Sequence, residues 1–263
     1  MKFKSLIAAG CACVLLTLCA CTKTGDFSLD SSKLDLGYSA VYTVSAQDGV
    51  FVYDNAYTVK TENGFIVISS EATESWTNGK QPTDEGYRSG DQIIKTMSKL
   101  TLDGNKFGMP VFVEEEFSVT ADESYYTYFS FDHNHDKMSA VLKIKEADAS
   151  SETGFKETTH AVALKEQYYD KDSLPFILGA FPDEAVTYVS SGNRDSLQAI
   201  KVELLKTEDV TVEAGTFTCK KYRLRPNVAF SVNSATVWLD SETLIPVKIL
   251  HDSSVTELKS LTN

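Results

Sequence analysis

The sequence predicts an all-β protein built on a large curved antiparallel sheet, either an incomplete barrel or a two-layer sandwich, with one short helix. From residue 38 onward, apolar and polar residues alternate with a period of two, which is typical of half-buried strands. Turn signals recur about every eight to twelve residues, as in sandwiches and barrels. With 263 residues, 42% of them hydrophobic, the chain is long and apolar enough to bury a sizeable core.

The first residues have the pattern of a secretory signal. Lys2 and Lys4 precede an uncharged stretch at residues 5–20. This stretch is shorter than the roughly 20 apolar residues that a membrane-spanning helix needs, so cleavage is the better interpretation. Residues 18–21 (LCAC) resemble the lipobox of bacterial lipoproteins. The resemblance implies that Cys21 becomes the first mature residue and carries a diacylglycerol thioether; an ordinary signal peptide cut elsewhere is the alternative.

We therefore divide the chain into a signal peptide at residues 1–20, a lipidated N-terminus and flexible tether at 21–37, and a single β-rich domain at 38–263. The tether is predicted because its residues are polar, rich in Ser and Asp, and without periodicity. After cleavage and lipidation only Cys219 keeps a thiol, so no internal disulfide is expected. A small buried hydrophobe is favoured there over a catalytic thiol, because no His or basic pair is placed beside it.

The charge balance restricts the partners. Lys and Arg number 25 against 37 Asp and Glu, so a basic groove for nucleic acid is not expected. Anionic headgroups repel such an acidic body, and acyl chains on Cys21 would have to hold it to the membrane. The expected location is the cell envelope, with the periplasmic face of the outer membrane slightly favoured. The reason is that Thr22, and not the Asp that resembles an inner-membrane retention signal, follows Cys21.

The strands of the first half are predicted from their alternation and their turns. Asp48-Gly49 and Asn63-Gly64 tolerate the positive φ angles of tight hairpins. Residues 70–91 are polar and predict a long surface connection. The predicted strands are 38–46, 50–53, 56–61, 65–68, 92–102, 111–119, 125–131 and 138–145.

Residues 170–182 (DKDSLPFILGAFP) are the one predicted helix. Asp172 or Ser173 can cap it, Pro175 fits its first turn, and Pro182 follows its end. Apolar side chains surround this helix, so it should plug an open side or end of the sheet. Strands are predicted to resume at 185–190, 197–207, 210–212, 216–224, 228–239, 244–250 and 255–261.

Aromatic side chains occupy both faces of the predicted strand at 125–131. Because neighbours along a strand point to opposite faces, one aromatic face lies in the core. A second layer covers the other face, or that face is exposed and suits a ligand. Tyr126 and Tyr128, together with Phe176 and Phe181 of the predicted helix, are the predicted ligand-binding residues.

Residues 132–136 (DHNHD) are the most ligand-like cluster in the chain. His133 and His135 would point the same way in a continuing strand, and His and carboxylates can bind zinc or copper. However, a polar turn is needed between two strands here, and a structural zinc site normally takes four ligands. We favour a turn without a resident metal, and we predict no cofactor.

The C-terminal half resembles a known family of exported bacterial proteins. Residues 212–222 (VEAGTFTCKKY), 237–240 (VWLD) and 244–249 (LIPVKI) are similar to domain of unknown function 3108. With the short helix, the resemblance covers roughly residue 38 to the C-terminus; it implies no known reaction. By analogy of folds it implies a sheet like that of lipoprotein carriers, an incomplete barrel with an apolar concave side. Related chains often have an Arg after the helix, where this chain has Gly179-Ala180.

No catalytic motif is present. The chain lacks G-x-S-x-G, H-E-x-x-H, a P-loop and G-x-G-x-x-G, which predicts a protein that is not an enzyme. The leading hypothesis is a cell-envelope lipoprotein whose curved sheet binds a lipid or another apolar or amphipathic ligand. The alternative is a scaffold that holds a partner protein at the membrane through a sheet edge or through residues 70–91. A third hypothesis is a metal-binding module at residues 132–136.

Overall fold

The structure is a computed structural model that describes residues 27, 29–34, 37–46, 52–75, 93–104, 108–119, 126–165, 167–191, 194–227, 235–251 and 254–262. The predicted signal peptide and Cys21 lie outside these residues, as does residue 76 onward of the predicted surface connection. In the part of the chain that is described, no helix has the length and apolarity needed to cross a membrane.

Within the described residues, fifteen strands form one sheet, which confirms the predicted all-β fold class. Their order is β8 through β1, then β15 back through β14 to β9, and every pairing is antiparallel except β9 with β10. The first eight strands are β1 Gly37–Ala46, β2 Val52–Glu62, β3 Phe65–Ser75, β4 Ile93–Asp103, β5 Met109–Val119, β6 Tyr126–Asn134, β7 Ser139–Ala147 and β8 Phe155–Ala163. The others are β9 Tyr168–Tyr169, β10 Glu184–Ser190, β11 Leu197–Val212, β12 Gly215–Pro226, β13 Ala235–Asp240, β14 Pro246–Leu250 and β15 Ser254–Thr262.

The two edge strands of the sheet, β8 and β9, are not hydrogen-bonded to each other. The sheet is therefore an incomplete barrel, and the short segment at residues 164–167 connects its two edges. Leu164 N donates to Met138 O at 2.9 Å, which holds the start of this segment against the β6–β7 turn. Strand β9 pairs only with Tyr188 and Val189 of β10, so the rest of β10 has no strand partner on that side among the described residues, and we call the space between β8 and β10 the seam.

The strand register places inward side chains in rows that cross the sheet. One row, which we call the apolar row, contains a single inward residue from each of β2 to β7. Its members are all at most 2% exposed: Val59, Ile68, Leu100, Val113, Phe131 and Leu142. Apolar burial of this extent is the main source of stability for the sheet.

The predicted helix fills one end of the barrel. Helix α1, Leu174–Ile177, continues into a 3-10 helix at Leu178–Ala180 and is shorter than the predicted segment at 170–182. All seven residues are buried. Tyr57 and Phe176 pack with their ring centroids 5.0 Å apart, and Tyr169 and Phe181 do the same. The segment is a plug in the core.

Part of the predicted tether at residues 21–37 belongs to the folded body. Leu29 is 4% exposed, and Phe27 packs against Phe181 with ring centroids 5.3 Å apart. Asp30 N donates to Ala180 O at 3.0 Å, just before a 3-10 helix at Ser31–Leu34. Residues 21–26 of the predicted tether lie outside the described residues.

The sequence did not predict β8 or β9. The side chains of β8 alternate poorly in polarity and are mostly exposed, because β8 is an edge strand with one neighbour. Strand β9 has two residues, which is too short for any periodicity. The segments predicted at 197–207 and 210–212 are one strand, β11, with an irregularity between Leu204 and Lys206.

Candidate functional site

The inner face changes from apolar to polar toward one end of the barrel. The row next to the apolar row, which we call the mixed row, is polar on β2 to β5 and apolar on β6 and β7. It contains Tyr57, Ser70, Ser98, Glu115, Phe129 and Ile144. The next row has four polar and two apolar members: Asn55, Ala72, Thr96, Phe117, Thr127 and Glu146. The plug reaches the mixed row, where Phe176 packs against Tyr57.

A buried ion pair lies over the middle of the mixed row. Arg194 Nε donates to Asp170 Oδ2 at 2.8 Å, and the two side chains are 4% and 1% exposed. Arg194 also pairs with Asp172, and its Nη1 lies 3.7 Å from Glu115 Oε2. Its guanidinium stacks 4.4 Å above the ring of Phe129. Burial acts to lower the pKa of Arg194, but Asp170 and Asp172 outweigh it and raise that pKa above its usual range.

The backbone at Arg194 is in the left-handed region, with φ at 55°. This conformation is uncommon for a residue other than glycine and costs on the order of 1–3 kcal/mol. Arg194 N donates to Ser191 O at 3.0 Å, so a tight turn after β10 sets the angle. Ser190 Oγ, at the end of β10, donates to Asp170 Oδ2 at 3.1 Å. The turn therefore aims the Arg194 side chain inward at its carboxylate partner.

The first cleft lies beside edge strand β8, and we call it the edge cleft. Its volume is about 370 Å³. Phe129, Leu142 and Ile144 give it an apolar floor, and Arg194 bounds it on one side. The remaining lining is polar and comes from Thr127, Glu146, His160 and Asp195. Apolar surface with a few polar groups around it is typical of small-molecule sites.

The second cleft, which we call the polar cleft, has a volume of about 240 Å³, and its lining includes Glu115 and Asp172, which both pair with Arg194. Asn55 Nδ2 donates to Tyr57 Oη at 3.1 Å, and the hydroxyls of Ser70 and Ser98 are 2.7 Å apart. These side chains line the cleft together with Glu115, Asp172 and residues of α1. Burial, and then the charge of Asp172, raise the pKa of Glu115.

The four predicted ligand-binding residues do not form one site. Tyr126 and Tyr128 lie on the outer face of β6, since Phe129 and Phe131 face inward. Tyr126 packs edge-on against Phe155 (5.6 Å), and Tyr128 Oη lies 3.4 Å from a Glu114 carboxylate oxygen. Phe176 and Phe181 are buried, at 6% and 4% exposure, and Phe176 also lines the polar cleft. On β6, Phe129 lines the edge cleft, and Tyr128 lines a third cleft of about 260 Å³ on the outer face.

His133 and His135 point the same way, and each has a backbone partner. His133 Nδ1 lies 3.2 Å from Val111 O, and His135 Nε2 lies 2.9 Å from Pro110 O. Both rings also lie against Tyr168. Burial lowers the pKa of His133 to about 4, so this ring is neutral at neutral pH. Among the described residues, no group of three or more His, Cys, Asp or Glu could hold a metal ion.

Cys219 is buried, as predicted, in a small cluster with Trp238 and Val247 on the outer side of the sheet. Its side chain is 0% exposed, and burial raises its pKa to about 11. A thiol becomes a nucleophile only when it is deprotonated and accessible. Neither condition holds for Cys219, so it contributes packing.

Comparison with known proteins supports the fold. No family model matches the chain. No curated protein matches it either. A β-barrel-like protein of domain of unknown function 1849 from Brucella abortus is similar in structure, with a TM-score of 0.55 and 11% identity over 86% of this chain and 97% of that one. At this identity the likeness shows a shared fold and not a shared function.

Two further solved structures cover similar shares of the chain. A proposed lipoprotein from Parabacteroides distasonis is 15% identical over 87% of this chain and 96% of that one, with a TM-score of 0.32. A proposed exported protein with a YmcC-like fold from Bacteroides fragilis is 11% identical over 86% and 96%, with a TM-score of 0.26. The fold and the clefts thus define a barrel-like protein with an inward-facing candidate binding site.

Proposed function

We propose that this protein is a lipid-anchored, non-enzymatic lipoprotein of the cell envelope that binds an amphipathic ligand in the edge cleft. The observation that carries the proposal is the cleft itself. Its floor of Phe129, Leu142 and Ile144 suits an acyl chain, and its polar lining suits a headgroup. The seam between β8 and β10 gives the ligand a route from the side of the barrel.

The envelope location rests on the signal sequence and on Cys21, whose acyl chains would attach the protein to the membrane. A non-enzymatic role fits the state of the described titratable groups. Arg194 is saturated by carboxylates, His133 is buried, and Cys219 is inaccessible.

The fold analogy to lipoprotein carriers implies an open, apolar concave side, whereas here the plug fills part of the interior. The plug occupies one end, and a volume of about 370 Å³ suits one short chain or the end of a longer one. We therefore propose a single-chain amphiphile, or one chain of a lipid, as the ligand.

We test the proposal by narrowing the edge cleft. Residues 21–263 carrying Cys21→Ser, which we call the full-length Cys21→Ser chain, lack the predicted signal peptide and cannot be lipidated. This chain is purified without detergent and titrated calorimetrically with octanol. Ile144→Trp places an indole in the cleft and should weaken octanol binding by about tenfold or more, equivalent to ~1.4 kcal/mol.

Val141→Trp is the matched control, because Val141 is on the same strand, faces outward and is 39% exposed. This variant should bind octanol like the parent chain. No octanol binding by the parent, or equal weakening by both substitutions, would refute the proposed site.

The second candidate function is the scaffold. Strand β8 ends the sheet among the described strands, and a partner could add a strand to its open edge. A chain that binds no amphiphile would favour this function.

A further inference from the structure

We propose that the polar cleft binds a positively charged amine, which is the head of the same amphiphile whose chain lies in the edge cleft. The inference rests on the proposed function and names the ligand class: a single-chain amphiphile with a cationic head. It is carried by the contact between the two clefts, by the charge balance around Glu115 and by the hydrogen-bond acceptors of the polar cleft.

The two clefts meet on the inner face. Glu115 lines the polar cleft, and Phe129 lines the edge cleft. They are cross-strand neighbours in the register of β5 and β6. Such neighbours lie about 5 Å apart on one face of a sheet. The Arg194 guanidinium lies at the same boundary, 4.4 Å over the Phe129 ring and 3.7 Å from Glu115, so the amphiphile would pass beside it from one cleft to the other.

Three carboxylates and two cations lie at this boundary, which leaves one negative charge in excess. Lys171 Nζ bridges Asp172 at 2.8 Å, and Arg194 Nε bridges Asp170 at 2.8 Å. The third carboxylate, Glu115, has Arg194 only at 3.7 Å and keeps 31% of its side chain exposed. An added cation would gain a partly buried carboxylate partner. Charge-assisted hydrogen bonds of this kind are the strong ones.

The polar cleft also contains a hydrogen-bond acceptor that a donor from the ligand could satisfy. Asn55 Oδ1 is buried and has no hydrogen-bond partner among the described residues, whereas Asn55 Nδ2 donates to Tyr57 Oη. An ammonium brings three N–H donors and no acceptor. An anionic head would instead face Glu115 and Asp172, while both nearby cations are already paired.

The test compares two ligands with the same chain and opposite charge. The full-length Cys21→Ser chain is titrated with octylamine and with octanoate at neutral pH, where the first is a cation and the second an anion. We expect octylamine to bind about tenfold or more tightly than octanoate. Glu115→Gln should remove this preference by lowering the affinity for octylamine.

Glu116→Gln is the matched control. Glu116 is the next residue on β5 and lies opposite Met97 and Tyr128, on the outer face. It should leave the preference for octylamine unchanged. If Glu115→Gln does not fold, the affinities of the parent chain for octylamine and octanoate still test the preference for a cation.

Equal affinity for octylamine and octanoate, or an equal effect of the two glutamate substitutions, overturns the inference while octanol binding still supports the edge cleft. If octylamine, octanoate and octanol all fail to bind, the proposed function falls as well. The two failures are therefore distinguishable.

Discussion

Arg194→Met should lower the free energy of unfolding by about 3–5 kcal/mol, because it leaves a buried carboxylate without its cation. Asp170 is 1% exposed, and its remaining partners are the neutral donors Ser190 Oγ and the Asp172 backbone N–H. Methionine keeps the apolar stem of the arginine, so the loss reports mainly on the charge. Urea unfolding of the full-length Cys21→Ser chain measures it.

Arg223→Met removes an arginine from the outer face and is the control for this experiment. Arg223 Nη2 bonds Glu203 Oε2 at 2.7 Å, but the Arg223 side chain is 42% exposed. An exposed pair of this kind contributes about 0–1 kcal/mol. Equal losses for Arg194→Met and Arg223→Met would mean that the Arg194–Asp170 pair is not buried as described.

Phe181→Ala should lower the free energy of unfolding by about 3–5 kcal/mol, through lost burial and the cavity left behind. Phe181 is 4% exposed and packs between Phe27 and Tyr169. The same substitution at Phe65, which is 39% exposed, should cost much less. Unfolding curves of both variants give the comparison.

This pair also tests the role of Phe181, which the sequence alone suggested as a ligand contact. A core role predicts a large loss of stability, and refolded protein at low denaturant should bind octanol like the parent chain. A stability loss as small as that of Phe65→Ala would return Phe181 to the candidate ligand site and remove it from the plug.

The fold class was predictable because its signals are local. Alternation identified most strands, and the Asn63-Gly64 turn lies between β2 and β3, with positive φ at both residues. The apolar character of the plug was also visible in the sequence. Edge strand β8 was not, because a strand with one neighbour and two exposed faces needs no alternating polarity.

The candidate site was far less predictable, because it depends on register. Glu115 belongs to a run of three glutamates, and only the pairing of β5 with β4 and β6 shows that it alone faces inward. Arg194 follows a Gly-Asn pair that reads as an ordinary turn. The burial of Arg194 depends on its ion pair with Asp170, which lies 24 residues earlier, just before the plug segment. Tyr126 and Tyr128 were predicted as ligand contacts because they are aromatic, whereas Phe129, the residue after Tyr128, faces inward.

Photo-crosslinking with an octylamine probe that carries a diazirine at the end of its chain tests the central claim most directly. The account predicts that mass spectrometry finds the label on the floor of the edge cleft, at Phe129, Leu142 or Ile144, and that excess octylamine suppresses it. Labelling confined to Tyr126 and Tyr128 on the outer face, or labelling that excess octylamine does not reduce, would contradict it.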